Sequence, residues 1–520
     1  MRELGPRTFA AGVAACAAAV ASFLLAQLTA WPPHEDETLA LFVARGSIGH
    51  TLHTVLTQRG GAPLHFLLAW VVTHSGGGLT ELRVVSALLA VASIPVCALL
   101  SRRLAGRTIA LAATVLVSGS WILLFHGVYA RMYSLFLLTS ACSYLAFLVA
   151  LERGRRRDWA LWAVAILLTI ATHPYGVLVL ASQGAYALLR RERLREAAIA
   201  IGIVLVLAIP FWRTDLILAH RFDVGVASGS GGVGAPWQVL EYLWRVAGDF
   251  SAGWWFVLAL VLVLALLGAR ALWREQRATV VLTACVVVIP AVALTLARLG
   301  NSATPESRHL IFALPFFSTL VAAGVFAAPR LQPRLGPAFA VVVLALLVGS
   351  EVGWARERTP DLFVGQPGAA VKARRQAAAW LATTERPTDL LFGYDPLYLR
   401  AWERTRGGPT TVIPRADPRL ALRVLRSAPK PLGRGVWVFD ASSLRNHDQR
   451  LTIADRRPWP GRDFEAKVFG PYLIVRTAQP VRTIRRYLLM ASQVMILGKD
   501  LRIGDADLNF VTVRKALARL

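Results

Sequence analysis

Long apolar runs, separated by short polar segments, recur along the first two thirds of the chain. A membrane-spanning helix needs about 20 such residues, fewer than the longest runs offer and more than the shortest. The runs lie near residues 9–30, 82–100, 108–125, 132–151, 159–173, 176–189, 197–212, 253–269, 278–297, 309–328 and 337–353. The pattern predicts an α-helical polytopic membrane protein with about 11 transmembrane helices, the first of them an uncleaved anchor.

Two shorter patterns complete the outline. Residues 63–74 are apolar but too short to cross a bilayer, which predicts an interfacial or re-entrant helix. Beyond residue 353 the long apolar runs stop, and short strand-like segments alternate with helical ones, as in 390–394, 435–440 and the helical 417–428. We therefore predict a transmembrane domain over 1–353 and a soluble α/β domain over 354–520.

The rest of the predicted sheet is less regular. A further strand is expected at 410–414, and residues 466–476 fit one more strand or a hairpin. The C-terminal part contains no glycine-rich nucleotide fingerprint, so we predict no Rossmann-type cofactor there.

Composition and charge agree with a membrane protein. Hydrophobic residues make up 55% of the 520 positions, charged residues make up 17%, and the mean hydropathy is +0.51. A net charge of +26 would suggest nucleic acid for a soluble protein. Here the arginines lie in loops that can face anionic lipid, so the expected partner is membrane lipid and not nucleic acid.

Arginines also indicate the orientation, because they cluster in alternate loops. The basic loops contain Arg102, Arg103 and Arg107; Arg153 and Arg155 to Arg157; Arg190, Arg191, Arg193 and Arg195; Arg270, Arg274 and Arg277; and Arg330 and Arg334. The positive-inside rule places these loops in the cytoplasm. We predict a bacterial plasma-membrane protein with a cytoplasmic N-terminus and an extracytoplasmic C-terminal domain.

A short acidic cluster, His34-Glu35-Asp36-Glu37, follows the first span. A carboxylate at a membrane interface can accept a proton from a hydroxyl group, which would suit a general base. Asp36 or Glu37 can instead interact with the dipole of a helix over 38–46. A third reading is a metal site of His34 with the acids, although the cluster has no fixed ligand spacing.

Two arginines at span boundaries suggest phosphate binding. Arg131 lies between Tyr129 and Tyr133, and Arg308 begins a later span. A guanidinium group binds phosphate oxygens in a bidentate manner, but it can also extend to the interface as an anchor. The tyrosines suit either hydrogen bonding to phosphate or sugar, or an aromatic belt.

Histidines lie at the same predicted face. His65 and His173 are candidate substrate-binding residues, and His126 occupies a similar boundary. Each of them, taken singly, is more typical of an ordinary interfacial histidine than of a catalytic one.

Five short stretches, in a fixed order over 1–353, resemble the C-type membrane glycosyltransferases, the group containing protein O-mannosyltransferases and the lipid A aminoarabinose transferase. They comprise an Asp-Glu pair after the first span, a proline-aromatic interfacial segment, an arginine opening the second span, an aromatic-Ala-Arg-x-Tyr stretch and a Ser-Arg-His-Leu stretch with a downstream proline. In this chain they are EDETLALFVAR (35–45), APLHFLLAW (62–70), ELRVVSALLAV (81–91), YARMYSL (129–135) and SRHLIFALP (307–315).

The resemblance implies an extracytoplasmic active site, a polyprenyl-phosphate sugar donor and inverting transfer. It also implies that the first acid of the pair is the general base, which is Asp36 here. Glu37 would support it or bind the acceptor, and Arg131 and Arg308 would hold the donor phosphate. Glu35, which precedes the pair, competes for the base role.

One departure from the group concerns the interfacial segment. Many relatives have Lys-Pro or Pro-Pro there, whereas this chain has Ala62-Pro63 and so lacks that phosphate-binding lysine.

The predicted function is therefore transfer of a sugar from a polyprenyl-phosphate carrier to an extracytoplasmic hydroxyl of a glycan, lipid or protein. With two arginines for the phosphate, we expect no cofactor and no metal requirement, although the acidic cluster leaves a divalent ion open. One rival is a flippase for lipid-linked substrates, which would need polar residues at mid-span, where this chain has few acids. The other is a non-catalytic membrane scaffold that displays the C-terminal domain.

Overall fold

A computed structural model describes residues 3–222, 236–251, 253–297, 306–331, 336–405, 408–415, 417–441, 462–500 and 506–520. Within these ranges the chain forms two compact units. The first comprises Met1–Trp31, Gly46–Ile217 and Gly231–Gly365, and the second comprises Pro32–Arg45, Leu218–Ser230 and Gln366–Leu520. The segment Pro32–Arg45, which carries the acidic cluster, thus packs with the C-terminal part of the chain.

The first unit is helical. Its helices are α1 (Pro6–Ala26), α3 (Ile48–His53, continued by a π-helix over Thr54–Arg59), α4 (Pro63–His74), α5 (Leu79–Gly119), α6 (Trp121–Val128), α7 (Tyr133–Arg153), α8 (Arg156–Thr172), α9 (Gly176–Arg190), α10 (Leu194–Leu207), α11 (Ile209–Phe222), α12 (Pro236–Phe250), α13 (Trp255–Glu275), α14 (Arg277–Ala297), a 3₁₀ helix (Ser307–Ala313), α15 (Leu314–Leu331), α16 (Gly336–Arg358) and α17 (Pro360–Val364).

Span lengths follow the apolar pattern only in part. Among the described residues, six helices are long and apolar enough to cross a membrane, and the bent pair α10–α11 makes a seventh if it is one span. The helices α4 and α9, and the part Arg277–Ala293 of α14, are apolar but shorter, at 10–17 residues. The predicted total of about 11 spans is consistent with this architecture but stays a prediction.

Two predicted runs, 82–100 and 108–125, meet within α5, which spans 41 residues. Its regular geometry is interrupted at Gly106, where φ is 81° and ψ is 172°. A positive φ of this kind suits glycine because glycine has no Cβ. The element is therefore two helices joined directly, and a short helix, α6, completes the second run.

Helices α13 and α15 pack closely through glycine. A Cβ on Gly268 would collide with the backbone carbonyl of Leu320, and a Cβ on Gly324 would collide with that of Leu264. Small residues at such a crossing let two backbones approach closely, as is common between membrane helices.

The second unit is an α/β domain. It contains α2 (Glu35–Val43), α18 (Gly368–Thr384), β1 (Leu390–Phe392), α19 (Pro396–Thr405), β2 (Thr411–Ile413), α20 (Pro418–Ser427), β3 (Gly435–Asp440), β4 (Phe464–Phe469), β5 (Tyr472–Thr477), α21 (Ile484–Asp500) and α22 (Ala506–Leu517). The sheet order is β2-β1-β3-β5-β4. Strand β1 is parallel to β2 and β3, while β5 is antiparallel to β3 and β4.

The expected C-terminal strands are confirmed, and residues 466–476 fall within the β4–β5 hairpin. Helix α20 begins where Asp417 accepts a hydrogen bond from the backbone N–H of Leu420 at 2.9 Å, a favourable N-cap. In the core of the domain, Trp437, Leu473 and Tyr487 are fully buried.

Candidate functional site

Arg131 lies in the short connection between α6 and α7, and local hydrogen bonds hold this connection in place. The backbone N–H of Arg131 donates to the carbonyl of Tyr129 at 2.7 Å. One turn earlier, the hydroxyls of Ser86 and Ser134 donate to the carbonyl of His126 at 3.0 and 2.8 Å. The end of α6 is thus anchored to both α5 and α7.

Arg308 lies at the start of the 3₁₀ helix and faces the same connection. Its guanidinium carbon is 5.2 Å from the centre of the Tyr133 ring, within cation–π range. Its Nη2 donates to Glu306 at 2.6 Å, and the hydroxyl of Tyr242 donates to the carbonyl of Glu306 at 3.0 Å. The structure therefore brings Arg308 and Tyr133 together.

Histidine and tyrosine rings surround the two arginines. The centre of the His173 ring is 5.3 Å from that of His309 and 5.7 Å from that of Tyr133. His126 is 4.6 Å from Tyr133, and Tyr175 is 4.9 Å from His309, between ring centres. These rings come from α6, α7, the α8–α9 connection and the 3₁₀ helix.

Hydrogen bonds select the tautomer of two of these rings. The Nδ1 atom of His173 accepts the N–H of Tyr175 at 3.0 Å, and that of His309 accepts the N–H of Glu306 at 3.1 Å. A neutral imidazole that accepts at Nδ1 carries its proton at Nε2. Each of these histidines is therefore set up to donate a hydrogen bond from Nε2.

Burial and charge keep the nearby histidines neutral. Burial, followed by the positive Arg308 and Arg131, lowers the pKa of His126 well below its ordinary range. Burial, with the same neighbours, also lowers the pKa of His173. In the interfacial helix α4, burial and then Arg131 lower the pKa of His65 to about 3. The permanent positive charge of the site thus resides on the arginines.

Polar atoms remain unsatisfied in this region. Within the described part of the chain, Nε of Arg308, Nδ1 of His126 and Nε2 of His65 are buried and have no hydrogen-bond partner. Buried polar atoms are paired in the great majority of cases, so this group of atoms is suited to a polar ligand. A phosphate offers several acceptor oxygens to such donors.

The acidic cluster lies in the second unit, at the start of α2. His34 is the N-cap: its Nδ1 accepts the N–H of Asp36 at 3.1 Å, and its own N–H donates to Glu37 at 3.1 Å. Glu37 is fully buried, whereas Asp36 and Glu35 are partly exposed. All three acids lie in the first turn of α2, where they can interact with the helix dipole, and Glu37 also closes the helix cap.

Glu35 has a different environment from its two acidic neighbours. Its Oε2 is 2.9 Å from Nη1 of Arg415, and its Oε1 accepts the N–H of Tyr394 at 2.8 Å. Both carboxylate oxygens of Glu35 are thus bound by the C-terminal domain.

The structure brings together most of the residues that the sequence predicted. Tyr129, Arg131, Tyr133, His65, His173 and Arg308 lie in the first unit, around a common group of rings and charges. His34, Glu35, Asp36 and Glu37 lie together in the second unit. Their proposed roles stay predictions.

Three residues near these groups were not among the predicted site residues. His309 and Tyr175 adjoin Arg308 and His173 in the chain, and this adjacency was the available signal. Arg83, which opens the second predicted span, is buried and donates from Nη1 to the carbonyls of Leu28 and Trp31, both at 2.9 Å. It thereby fixes the end of the chain segment that leads into the acidic cluster.

A metal site at the acidic cluster receives no support from side-chain grouping. In the portion of the chain that the structure describes, no three His, Cys, Asp or Glu side chains are grouped to hold a metal ion.

Comparisons with known proteins place this geometry in context. Residues 60–212 match the family described as dolichyl-phosphate-mannose-protein mannosyltransferase. The structure is similar to that of ArnT from Cupriavidus metallidurans in the apo state, with a TM-score of 0.58 and 15% identity over 89% of this chain and 97% of that chain. No curated protein sequence is similar enough to this chain to count as a match.

Two further solved structures share the architecture. ArnT from the same organism bound to undecaprenyl phosphate has a TM-score of 0.58 and 14% identity, over 91% of this chain and 98% of that chain. The Archaeoglobus fulgidus oligosaccharyltransferase in the apo form has a TM-score of 0.50 and 12% identity, over 82% and 69%.

At these identities the structural likeness establishes the fold, which is that of the C-type membrane glycosyltransferases. Together with the family match, it confirms the resemblance drawn from the five sequence stretches. The chain is an integral membrane protein with a small C-terminal sheet.

Proposed function

We propose that this membrane protein of the C-type glycosyltransferase fold transfers a sugar from a polyprenyl-phosphate carrier to an extracytoplasmic hydroxyl acceptor, with inversion and without a metal ion. The observation that carries the proposal is the grouping of Arg131 and Arg308 with buried tyrosines and neutral histidines in the first unit. A cationic, ring-lined group of donors is what a phosphate-linked sugar needs.

The donor phosphate is held by charge and by neutral donors. Arg308 is oriented by Tyr133 and Glu306, and it keeps one buried N–H without a partner among the described residues. The Nε2–H groups of His173 and His309 supply neutral hydrogen bonds. Preorganised donors of this kind stabilise the negative charge that develops on the phosphate as the anomeric bond breaks.

Asp36 is the proposed general base. Its carboxylate takes the proton of the acceptor hydroxyl while the acceptor oxygen forms a bond to the anomeric carbon. The bond from that carbon to the phosphate oxygen breaks on the opposite face, and polyprenyl phosphate leaves. Glu37, whose carboxylate binds the N–H of His34, supports the first turn that carries Asp36.

Known relatives support the same donor class. The matching family is named for a dolichyl-phosphate-mannose donor, and one solved structure of the same fold contains undecaprenyl phosphate. Both are sugar carriers with a polyprenyl chain and a phosphate, which agrees with a hydrophobic helical unit that presents two arginines.

The proposed orientation has a cytoplasmic N-terminus and an extracytoplasmic C-terminal domain, in a bacterial plasma membrane. It rests on the distribution of arginines between loops. A periplasm-only reporter fused after Leu520 should be active and a cytoplasm-only reporter silent; the opposite pattern would mean that one span was counted wrongly.

The activity is tested with purified protein and a panel of radiolabelled polyprenyl-phosphate sugars. We expect transfer from at least one donor, and a loss of about 10²- to 10⁴-fold in Asp36→Asn with donor binding retained. Asp463→Asn, an exposed acid paired with Arg486, is the matched control and should transfer normally.

Three outcomes would contradict the proposal. Normal turnover of Asp36→Asn would show that Asp36 is not the general base and would contradict the proposed mechanism. Movement of labelled donor across vesicles without any transfer, from every donor in the panel, would favour a flippase, and binding without either process would favour a scaffold.

A further inference from the structure

In the C-terminal domain, the carboxyl ends of the parallel strands lie next to a segment of the same chain. Asp395 and Arg415 follow the parallel strands β1 and β2, and Asp440 ends the adjacent parallel strand β3. The carboxyl ends of parallel strands meet at one edge of a sheet, where open α/β domains usually bind their ligands. In this domain Arg415 at that edge contacts the chain's own acidic segment, 32–45, through Glu35.

The contacts are specific on the polar side. Nη1 of Arg415 is 2.9 Å from Oε2 of Glu35, while the N–H of Tyr394 donates to Oε1 of Glu35 at 2.8 Å. The hydroxyl of Thr38 donates to the carbonyl of Tyr394 at 2.5 Å. The first turn of α2 is therefore bound through one carboxylate and one hydroxyl.

The surroundings of Arg415 hold its guanidinium group in place. Its Nη2 donates to the carbonyl of Val438 at 3.3 Å and lies 3.7 Å from Oδ2 of Asp395. Gly393 has a φ of 85°, and a Cβ at this position would collide with the Arg415 side chain. Arg415 and Glu35 are 19% and 25% exposed, so their ion pair is partly shielded from solvent.

Aromatic contacts complete the docking of α2. The ring of Phe42 lies 5.7 Å from that of Tyr394 and 4.6 Å from that of Trp402, between ring centres. The guanidinium carbon of Arg45 lies 3.5 Å from the centre of the Trp402 ring. Both ends of α2 are thus attached to the same domain.

We propose that the C-terminal domain is a positioning module for the acidic segment, and that Arg415 is its key positioning residue. By holding Glu35 through both carboxylate oxygens, the domain sets the first turn of α2 and with it the orientation of Asp36. The Glu35 carboxylate, held by Arg415 and by the N–H of Tyr394, is called the clamp below, and we assign it a positioning role. This inference rests on the proposed function of Asp36, but the clamp itself can be measured without turnover.

The first test uses hydrogen exchange on the full-length purified protein. Arg415→Gln and Glu35→Gln should each accelerate amide exchange in peptides covering residues 34–43 by roughly tenfold or more, since local opening becomes easier. Arg476→Gln is the matched control, because Arg476 forms a partly buried ion pair with Glu465 in the same domain. Unchanged exchange in both variants would overturn the clamp.

The second test uses steady-state kinetics. Arg415→Gln and Glu35→Gln should each lower kcat by about 10- to 100-fold with KM for the donor unchanged, because a small misplacement of a reacting group has effects of this size. Arg415→Lys should restore part of kcat. The double variant should be no slower than either single variant, because both remove one interaction.

The two tests separate the clamp from the proposed activity. Faster exchange with no transfer activity in the wild-type protein would keep the clamp and reject the proposed function. Faster exchange with normal kcat, or additive losses in the double variant, would reject the positioning role.

Discussion

The guanidinium carbon of Arg308 lies 5.2 Å from the centre of the Tyr133 ring. The ring holds a side chain that also pairs with Glu306 and is only 20% exposed. An arginine oriented in this way loses little further freedom on binding a phosphate, so we expect its contribution to donor affinity to be large. The buried Nε of Arg308, which has no hydrogen-bond partner among the described residues, would supply one more donor to such a ligand.

Removing either arginine should therefore weaken donor binding. We expect Arg308→Ala and Arg131→Ala each to reduce affinity for a polyprenyl-phosphate sugar by about 1.5–3 kcal/mol, the value of a hydrogen bond to a charged group. Arg308→Lys should retain part of the affinity, because it keeps the charge and loses the bidentate geometry. Equilibrium binding of labelled donor to detergent-solubilised protein measures all three.

The matched control for these variants is Arg245→Ala. Arg245 is an exposed arginine of the same unit, paired with Glu241 on α12. Its removal should leave donor affinity unchanged, since exposed pairs of this kind contribute little. Equal affinity in wild type, Arg131→Ala and Arg308→Ala would show that both arginines are interfacial anchors only.

Chelation tests the proposed independence from metal ions. With two arginines to neutralise the leaving phosphate, turnover in excess EDTA should remain largely intact. The assay compares initial rates before and after chelation, with added Mg²⁺ or Mn²⁺ as the reference. Full loss on chelation that either ion restores would instead support a divalent ion at the acidic cluster.

The buried His65 should make stability depend on pH. Its pKa falls from the usual 6.5 to about 3 in the folded protein, so only the unfolded chain takes up its proton between these values. The contribution of His65 to the free energy of unfolding is therefore fully present above pH 6.5 and is lost as the pH falls. Between pH 7 and pH 5 this loss is about 2 kcal/mol.

Thermal unfolding in detergent at pH 7 and pH 5 measures this effect. His65→Gln should unfold with a smaller pH dependence than the wild type. His74→Gln, at the exposed end of the same helix, should retain the wild-type dependence. An identical pH dependence in His65→Gln and wild type would mean that His65 is protonated without cost in the folded protein.

The crossing of α13 and α15 should tolerate no side chain. Gly324→Ala should destabilise the first unit by about 1–3 kcal/mol, because its methyl group would collide with the carbonyl of Leu264 and force the helices apart. Gly349→Ala on α16 is the control, since a Cβ there meets no atom within 4 Å. A similar melting temperature for both variants would show that α13 and α15 can shift without cost.

The sequence by itself determined the class of protein and many of its local elements. Apolar runs predicted the membrane helices because hydrophobicity acts on consecutive positions. Short strand-like segments predicted the C-terminal strands, and the helical pattern over 417–428 predicted α20. The arginine-tyrosine stretch was also recognisable, because Tyr129, Arg131 and Tyr133 are near neighbours in the chain.

The joint in α5 was harder to predict. A local pattern shows two apolar runs and a polar stretch between them, but not that the helices join directly at Gly106. The joint depends on a positive φ at Gly106. Glycine can adopt such a conformation but does not have to, so the sequence alone does not predict it.

Only the tertiary structure decided which distant residues meet. The ring contact between His173 and His309, and the contact of Arg308 with Tyr133, join separate helices through packing. The hydrogen bond from Tyr394 to Glu35 joins positions 359 residues apart. Such contacts arise from the burial of surfaces on different elements, which no local periodicity encodes. A local pattern treats three adjacent acids alike, whereas their contacts distinguish them: Glu35 pairs with Arg415, and Glu37 closes the helix cap.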